Sequence, residues 1–327
     1  MKTTHIPTFA SRLRAPLPDM VRHIPSMMSI DERKLLFHLA KHEYRAQGVI
    51  MDAGVFCGAS TICLGAGLMA NASYRDFVGY SPRVIQTYEY GVVNPGMISF
   101  FERHGVQGHW RVGDSFDDYL RLNIEPVDHL VDLHMGDIAL AKWDGTPIEI
   151  MFLDVLKSAD IQLAIMREFM PALIPGGILI QQDYFIDGVP FVKLMQEMFA
   201  DHFEYLGEIQ SSGIFRLVKP FAKEAFDRDP LADLSLPVML GLLDNARDRS
   251  IDRDRQLICD LGKVRFLSEL RQYVAARSLL DELQQIYPDQ FVQNPRPRIK
   301  AAIRAATNRA RGLNRAVEIA EIGRAHV

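Results

Sequence analysis

An acid and an amine stand three residues apart at the end of a largely apolar run. Residues 148–160 read IEIMFLDVLKSAD, in which Asp154 and Lys157 follow the hydrophobic segment. The carboxyl end of a buried strand is where open α/β sheets bind their ligands. A lysine that is partly removed from water loses affinity for its proton and can act as a general base. The pair therefore has two interpretations, a base with its orienting acid or a strand-end ion pair of little energetic worth.

A glycine-containing turn in the segment VIMDAGVFCGAST forms a second candidate site. Its polar and small residues are Asp52, Gly54, Gly58, Ser60 and Thr61. The glycines allow close backbone approach to a ligand, and the following helix would offer free N–H groups to a carboxylate or phosphate. A dinucleotide-binding turn needs G-x-G-x-x-G, but this sequence has Phe56 where the middle glycine of that motif is required. The turn therefore favours S-adenosylmethionine, which carries an amino-acid carboxylate and no phosphate.

Acids also mark the ends of the neighbouring segments. RVIQTYEY, at 83–90, is rich in β-branched and aromatic residues and predicts a strand that ends at Glu89. A carboxylate there can accept hydrogen bonds from ribose hydroxyls. In HMGDIALAKW, Asp137 is placed to accept the adenine amino group, with Ile138 against the ring. The predicted cofactor site therefore comprises nine residues, Asp52, Gly54, Phe56, Gly58, Ser60, Thr61, Glu89, Asp137 and Ile138.

The elements that would position these residues alternate between strands and helices, which indicates a parallel sheet. Ser29 and Glu32 have capping-box spacing at the start of an N-terminal helix. FEYLGEIQSSGIFRLVKP predicts two strands joined near Ser211–Gly213. This closing hairpin adds an antiparallel edge to the sheet.

Taken together, these motifs resemble those of class I S-adenosylmethionine-dependent methyltransferases over roughly residues 25–218. The segments that carry the resemblance are IMDAGVFCGAST, IQTYEY, GDI, IEIMFLDVLKS, LIPGGILIQQDY and the closing hairpin. The chain is most similar to bacterial macrocin-type and catechol-type O-methyltransferases of glycan or secondary-metabolite pathways. The resemblance implies an α/β, doubly wound, Rossmann-like and mostly parallel seven-stranded sheet with an antiparallel last strand.

The resemblance also implies roles for the acid and the amine. In catechol-type enzymes the aspartate of D-x-x-K is a metal ligand and the lysine is the base, which assigns these roles to Asp154 and Lys157. Asp183 would then be a second carboxylate ligand for a magnesium ion. Tyr184 stands where a further acid or amide is expected. The resemblance therefore leaves the use of magnesium open.

The chain divides into four predicted parts. They are N-terminal cap helices at 1–48, a cofactor-binding methyltransferase domain at 49–220, a helical region at 221–320, and an apparent sequencing-adapter translation at 321–327. From Arg296 to Arg315 there are seven basic residues and no acid. This run is interpreted as a solvated helix face or as a contact with an anionic surface. The helical region leaves open a homo-oligomer or a protein partner.

Composition excludes several classes of protein. The net charge of -4 gives no reason to expect nucleic-acid binding. Three cysteines, without a CxxC pair, make neither a disulfide framework nor a zinc site. No signal peptide and no apolar run of about 18 residues is visible, so a cytoplasmic protein without a membrane span is expected.

The leading hypothesis is an O-methyltransferase that uses S-adenosylmethionine to methylate a small hydroxylated molecule, such as a sugar or a natural product. Three alternatives stay open. A nicotinamide-dependent oxidoreductase would share the sheet but needs the missing glycine. The others are a degenerate cofactor-binding protein that acts through its helical region and a metal-dependent hydroxylase of the same fold.

Overall fold

The computed structural model describes residues 13, 16–73, 83–292 and 296–311 of the chain. The predicted adapter segment and Arg315 lie outside these residues. Two compact units are present, Met1–Gln182 with Asp201–Arg228 and Asp183–Ala200 with Asp229–Val327. The segment 183–200, which was expected within the 49–220 domain, therefore groups with the C-terminal helices.

The first unit contains a seven-stranded sheet. Its strands are β1 (Val49–Ala53), β2 (Ile85–Glu89), β3 (Val131–Met135), β4 (Ile148–Leu153), β5 (Leu173–Gln181), β6 (Phe203–Ile209) and β7 (Ser212–Leu217). The strand order is β3-β2-β1-β4-β5-β7-β6. Strands β1 to β5 pair in parallel, whereas β7 is antiparallel to β5 and β6. The predicted mostly parallel sheet with a reversed last strand is confirmed.

The central strands are buried, as strands with both faces covered must be. All six residues of β4 are buried, and so are four of the five in β1. Glu149 is the polar exception in β4. Its carboxylate accepts hydrogen bonds from the backbone N–H groups of Arg45 (2.5 Å) and Gln47 (2.8 Å) at the amino end of the strand. Burial of this acid is therefore compensated locally.

Helices cover the sheet in the first unit. They are α1 (Asp19–Arg22), α2 (Ile30–His38), α3 (Ala59–Met69), α4 (Pro95–Arg103), α5 (Asp117–Ile124) and α6 (Ala159–Glu168). The predicted capping box of α2 is confirmed. The Glu32 N–H donates to Ser29 Oγ (3.2 Å), and the Ser29 N–H donates to Glu32 Oε2 (2.8 Å). A π-helical turn, Leu39–Glu43, continues α2 towards β1.

The second unit is helical. Its helices are α7 (Pro190–Met198), α8 (Leu236–Arg249), α9 (Arg253–Glu269), α10 (Tyr273–Ile286), α11 (Pro288–Val292) and α12 (Pro297–Ala310). Residues of α9, α10 and α12, among them Leu261, Leu280 and Ile299, share one apolar core. On α12 the side chains of Lys300 and Arg304 are exposed. Within the described ranges, no helix has the length and apolarity needed to cross a membrane.

Candidate functional site

The parallel strands bring their carboxyl ends to one edge of the sheet. The chain leaves β1 towards β2 on one side and later returns to β4 on the other, which makes the end of β1 a topological switch point. Ligands of open α/β sheets bind in the crevice at such a point. The turn after β1 and the residues after β2 and β4 therefore form the candidate site.

The turn after β1 depends on its glycines. Gly54 and Gly58 have φ angles of 85° and 88°, in the left-handed region that favours glycine. A Cβ atom added to Gly54 would lie 2.6 Å from the carbonyl oxygen of Asp154. The Asp154 N–H in turn donates to the carbonyl of Ala53 (2.8 Å). The first glycine thus lets the turn pass directly against the end of β4.

Glu89 braces this turn from β2. Its Oε2 accepts the N–H of Phe56 (2.7 Å), and its Oε1 accepts the N–H of Gly91 (3.0 Å). Sequence reasoning assigned Glu89 to ribose hydroxyls and did not foresee this backbone role. Because each carboxylate oxygen can accept more than one hydrogen bond, the two roles are compatible. The ribose contact stays a prediction.

Phe56 has a φ angle of 50°, an uncommon conformation for a residue with a side chain. Its ring packs against Phe100, Phe101 and Phe116, with centroid distances of 5.0, 5.6 and 5.8 Å. Packing of this half-buried ring against its partners offsets the backbone strain. Sequence reasoning also assigned Phe56 to the cofactor site, which stays a prediction, and it did not foresee these aromatic partners, although the aromatic pair in ISFFERHG is the signal that could have revealed them.

Helix α5 supports the turn from its outer side. A Cβ atom on Gly58 would lie 2.6 Å from Ile124 Cγ2. The side-chain amide of Asn123 donates to the carbonyl of Cys57 (2.9 Å). No sequence motif pointed to these contacts, because they join segments more than sixty residues apart.

Asp52 is the most deeply buried acid of the site, with none of its surface exposed. Its Oδ2 accepts the hydroxyl of Thr61 (2.6 Å). Within the described residues, Asp52 Oδ1 and Ser60 Oγ have no hydrogen bond of normal geometry. Burial raises the pKa of Asp52 from 3.8 to about 7, although the Thr61 hydrogen bond opposes the shift. The Ser60 hydroxyl also lies near Asp52 and opposes the shift, so that Oδ1 has at most a weak donor and suits a ligand that brings N–H groups.

The raised pKa of Asp52 predicts a pH-dependent stability. Between pH 3.8 and about 7 the folded protein holds a proton on Asp52 that the unfolded chain has lost. The free energy of unfolding should therefore fall as pH rises through this window, by an amount on the order of a few kcal/mol. Asp52→Asn should remove this slope, because the amide does not titrate, and its oxygen can still accept the Thr61 hydroxyl. Urea denaturation of both proteins across the window measures the difference, and parallel slopes would contradict the assignment.

At the end of β4, Lys157 Nζ lies 2.9 Å from Asp154 Oδ1. The predicted pair is therefore formed. The lysine side chain is 56% exposed and the aspartate 24%. Sequence reasoning expected a partly desolvated lysine, but the described structure leaves it largely in water because it lies on the loop beyond the strand. Desolvation would have to come from a bound ligand.

The residues after β3 form the predicted adenine side. Asp137 caps a 3₁₀ turn, Ile138–Leu140, through a hydrogen bond from the Ala139 N–H to its Oδ1 (2.9 Å). The Gly136 N–H donates to the carbonyl of Glu89 (2.8 Å), which joins this turn to the end of β2. Ile138 is buried and Asp137 is exposed. The structure thus places both residues beside Glu89, and their contact with adenine stays a prediction.

In the second unit, Tyr184 has a structural role. Its side chain is fully buried, and its hydroxyl donates to Glu197 Oε1. Arg249 Nε and Nη2 donate to Glu197 Oε1 and Oε2, at 2.5 and 2.9 Å. Burial and the Glu197 carboxylate raise the pKa of Tyr184 well above its usual value, so it stays a neutral donor. The Tyr184 hydroxyl is therefore bonded to Glu197 within its own unit, and Tyr184 does not replace a metal ligand.

Removal of the Arg249 guanidinium should leave the Glu197 carboxylate buried without its cation. We expect Arg249→Leu to lower the free energy of unfolding by about 3–5 kcal/mol. Tyr184→Phe removes one hydrogen bond to the Glu197 carboxylate and should cost less, about 1.5–3 kcal/mol. Chemical denaturation of the two variants measures both values. Equal losses would show that the ion pair contributes no more than the hydroxyl.

The predicted magnesium site is not supported by a ligand cluster. No group of three or more His, Cys, Asp or Glu side chains in the described residues could hold a metal ion. Asp154 belongs to the first unit and Asp183 to the second. Asp154 is paired with Lys157, whose positive charge disfavours a second cation at the same oxygen. The shared Asp154–Asp183 ligand set stays a prediction.

Comparison with protein-family models and with curated proteins gave no match. Several solved structures are similar to the chain. The O-methyltransferase NovP is 15% identical with a TM-score of 0.43, over 60% of this chain and 83% of NovP. The calicheamicin methyltransferase CalS11 is 18% identical with a TM-score of 0.40, over 63% and 90%. A methyltransferase from Geobacter sulfurreducens is 17% identical with a TM-score of 0.35, over 65% and 100%. At these TM-scores the similarities do not establish a function, which has to rest on the residues of the site.

Proposed function

We propose that this chain is an S-adenosylmethionine-dependent O-methyltransferase that acts on a small hydroxylated molecule, such as a sugar or a natural product. The proposal rests on the turn after β1, which lies at the switch point of the sheet and is held by the Glu89 carboxylate. Asp52 is the last but one residue of β1, Glu89 ends the neighbouring β2, and Glu89 holds the turn through two backbone N–H groups. The mostly parallel seven-stranded sheet with its reversed β7 is the architecture implied by the sequence resemblance.

The residues of the turn fit the methyl donor. The N-terminus of α3 and the left-handed Gly54 and Gly58 suit the carboxylate of its amino-acid part. Asp52 Oδ1, which has no hydrogen bond of normal geometry, suits its ammonium group. Glu89 would accept the ribose hydroxyls, and Asp137 with Ile138 would hold the adenine. When bound, the donor supplies an electrophilic methyl group.

Lys157 is proposed as the general base for the acceptor hydroxyl. Methyl transfer to oxygen is accelerated by in-line positioning and by removal of the hydroxyl proton. The neutral amine of Lys157 would take that proton, and Asp154 would orient the amine through the contact between Nζ and Oδ1 (2.9 Å). A bound acceptor would cover the exposed lysine and favour its neutral form.

Magnesium is the part of the sequence resemblance that the side chains support least. Only Asp154 and Asp183 are offered as ligands, and Asp154 already faces the Lys157 ammonium group. The proposed reaction therefore assigns no step to a metal.

A cytoplasmic location and a role in glycan or secondary-metabolite pathways belong to this proposal as expectations.

The decisive experiment is calorimetric titration with S-adenosylmethionine and NAD in parallel, with and without magnesium. We expect the methyl donor alone to bind, with one site and no need for the ion. Transfer of a labelled methyl group to catechol and to a nucleoside-diphosphate sugar then tests the acceptor class. Binding of NAD alone would favour the oxidoreductase. Binding of the methyl donor with no transfer to any acceptor would favour a degenerate cofactor-binding protein.

A further inference from the structure

We infer that Glu32, a buried residue of the N-terminal helix α2, is a positioning residue that holds the catalytic edge of β4 and β5 in place. The inference rests on the proposed function, because it concerns the edge that carries Asp154 and Lys157. Glu32 is 4% exposed. Its carboxylate contacts residues outside α2 as well as the N-terminus of that helix.

The two carboxylate oxygens of Glu32 have different tasks. Oε2 completes the capping box by accepting the Ser29 N–H (2.8 Å). Oε1 accepts the side-chain amide of Gln182 (3.1 Å), which lies 150 residues away in the sequence. A capping box needs only the first contact. The second oxygen is therefore available to join α2 to the end of β5.

The turn between β6 and β7 joins the same network. The hydroxyl of Ser212 lies 2.6 Å from Gln182 Oε1 and 3.1 Å from Glu32 Oε1. Ser211 Oγ lies 3.4 Å from Glu32 Oε1. Because β7 pairs with β5 so that Gly213 faces Gln181, this turn lies beside the carboxyl end of β5. The buried carboxylate thus joins its own helix α2 to two other segments, the end of β5 and the start of β7, and hydrogen bonds to a charged group are strong.

Backbone contacts carry this anchoring to the catalytic residues. The Gln182 N–H donates to the carbonyl of Leu153 (3.0 Å), the residue directly before Asp154. The Asp154 N–H donates to Ala53 at the end of β1 (2.8 Å). Glu32 therefore fixes Gln182 by its side chain, and Gln182 fixes the end of β4 by its backbone. Displacement of a catalytic group by about 1 Å is enough to reduce a rate by about 100-fold.

Glu149 offers a matched control in the same unit. It is also a buried glutamate, 6% exposed, that accepts two hydrogen bonds, from the N–H groups of Arg45 and Gln47. It lies at the amino end of β4, the edge opposite to the proposed site. Loss of either carboxylate should therefore destabilise the protein, but only loss of Glu32 should disturb the catalytic edge.

The test compares Glu32→Ala, Glu32→Gln and Glu149→Ala with the wild type. Hydrogen exchange is followed in peptides that cover residues 150–158 and 178–182. We expect faster exchange in these peptides for Glu32→Ala alone, at conditions where both alanine variants are folded. Methyl transfer to the acceptor probe, catechol or the nucleotide sugar, should fall by about 10- to 100-fold in kcat. The Kd for S-adenosylmethionine should change much less than kcat, because Glu89 holds the turn after β1 through contacts that do not involve Glu32.

Glu32→Gln keeps one oxygen that can accept a hydrogen bond and should recover most of the exchange protection and turnover. This variant decides the case if Glu32→Ala does not fold. Wild-type exchange in Glu32→Ala would overturn the inference. So would equal losses of turnover in the Glu32 and Glu149 variants, because that pattern marks general destabilisation. If the wild type bound no S-adenosylmethionine, the proposed function would fail while the exchange data would still decide whether Glu32 orders this edge.

Discussion

Glu89→Ala is expected to abolish calorimetrically measurable binding of S-adenosylmethionine. The carboxylate accepts the N–H groups of Phe56 and Gly91, and both lose their acceptor in the variant. Each buried N–H that is left without a partner costs about 1–3 kcal/mol. The turn can avoid this cost only by leaving the conformation that the ligand needs. The proposed ribose acceptor disappears at the same time, so that two contributions to binding are lost with one side chain.

Two controls separate this effect from general instability. Glu89→Gln retains one oxygen as an acceptor and should bind the donor weakly. Glu204→Ala removes an acid of β6 that is half exposed and paired with Arg216 (2.9 Å), and it should leave binding unchanged. Binding by Glu89→Ala with the wild-type Kd would show that Glu89 belongs to the fold and not to a cofactor site.

The sheet could be predicted because its signals are local. Strands buried on both faces are nearly continuously apolar, and in β4, which buries all six residues, Glu149 is the one polar residue. The turn after β1 was also predictable, since Gly54 and Gly58 occur where positive φ angles are required. The alternation of strands and helices then restricts the topology to a doubly wound sheet. Fold and turn follow from patterns within about ten residues of sequence.

The partners of the site residues could not be predicted in the same way. Glu32 and Gln182 are 150 residues apart, and neither has a pattern that identifies the other. Phe56 could be recognised as a departure from a glycine motif, but its aromatic partners come from α4 and from the residue before α5. Tyr184 was compared with metal ligands because of its position, whereas its burial beside Glu197 decides its role. Such contacts arise only when separate elements pack together.

Lys157→Ala is expected to lower methyl transfer by about 10²–10⁴-fold, the usual contribution of a general base. Binding of S-adenosylmethionine should be spared, because Lys157 lies after β4 and the turn that holds the donor is braced by Glu89 from β2. Turnover of the labelled donor with the acceptor probe measures the first quantity, and calorimetry measures the second. Equal loss of both would contradict the assignment of the lysine as base.

Lys157→Arg distinguishes a base from a fixed positive charge. The guanidinium group can keep an ion pair with Asp154, but it stays protonated and cannot accept the hydroxyl proton. We therefore expect Lys157→Arg to be nearly as inactive as Lys157→Ala. Lys142→Ala is the matched control, since Lys142 is an exposed lysine that pairs with Glu168 (2.5 Å) and should be dispensable. Full activity of Lys157→Arg would assign the lysine to charge stabilisation, with the acceptor proton passing directly to water.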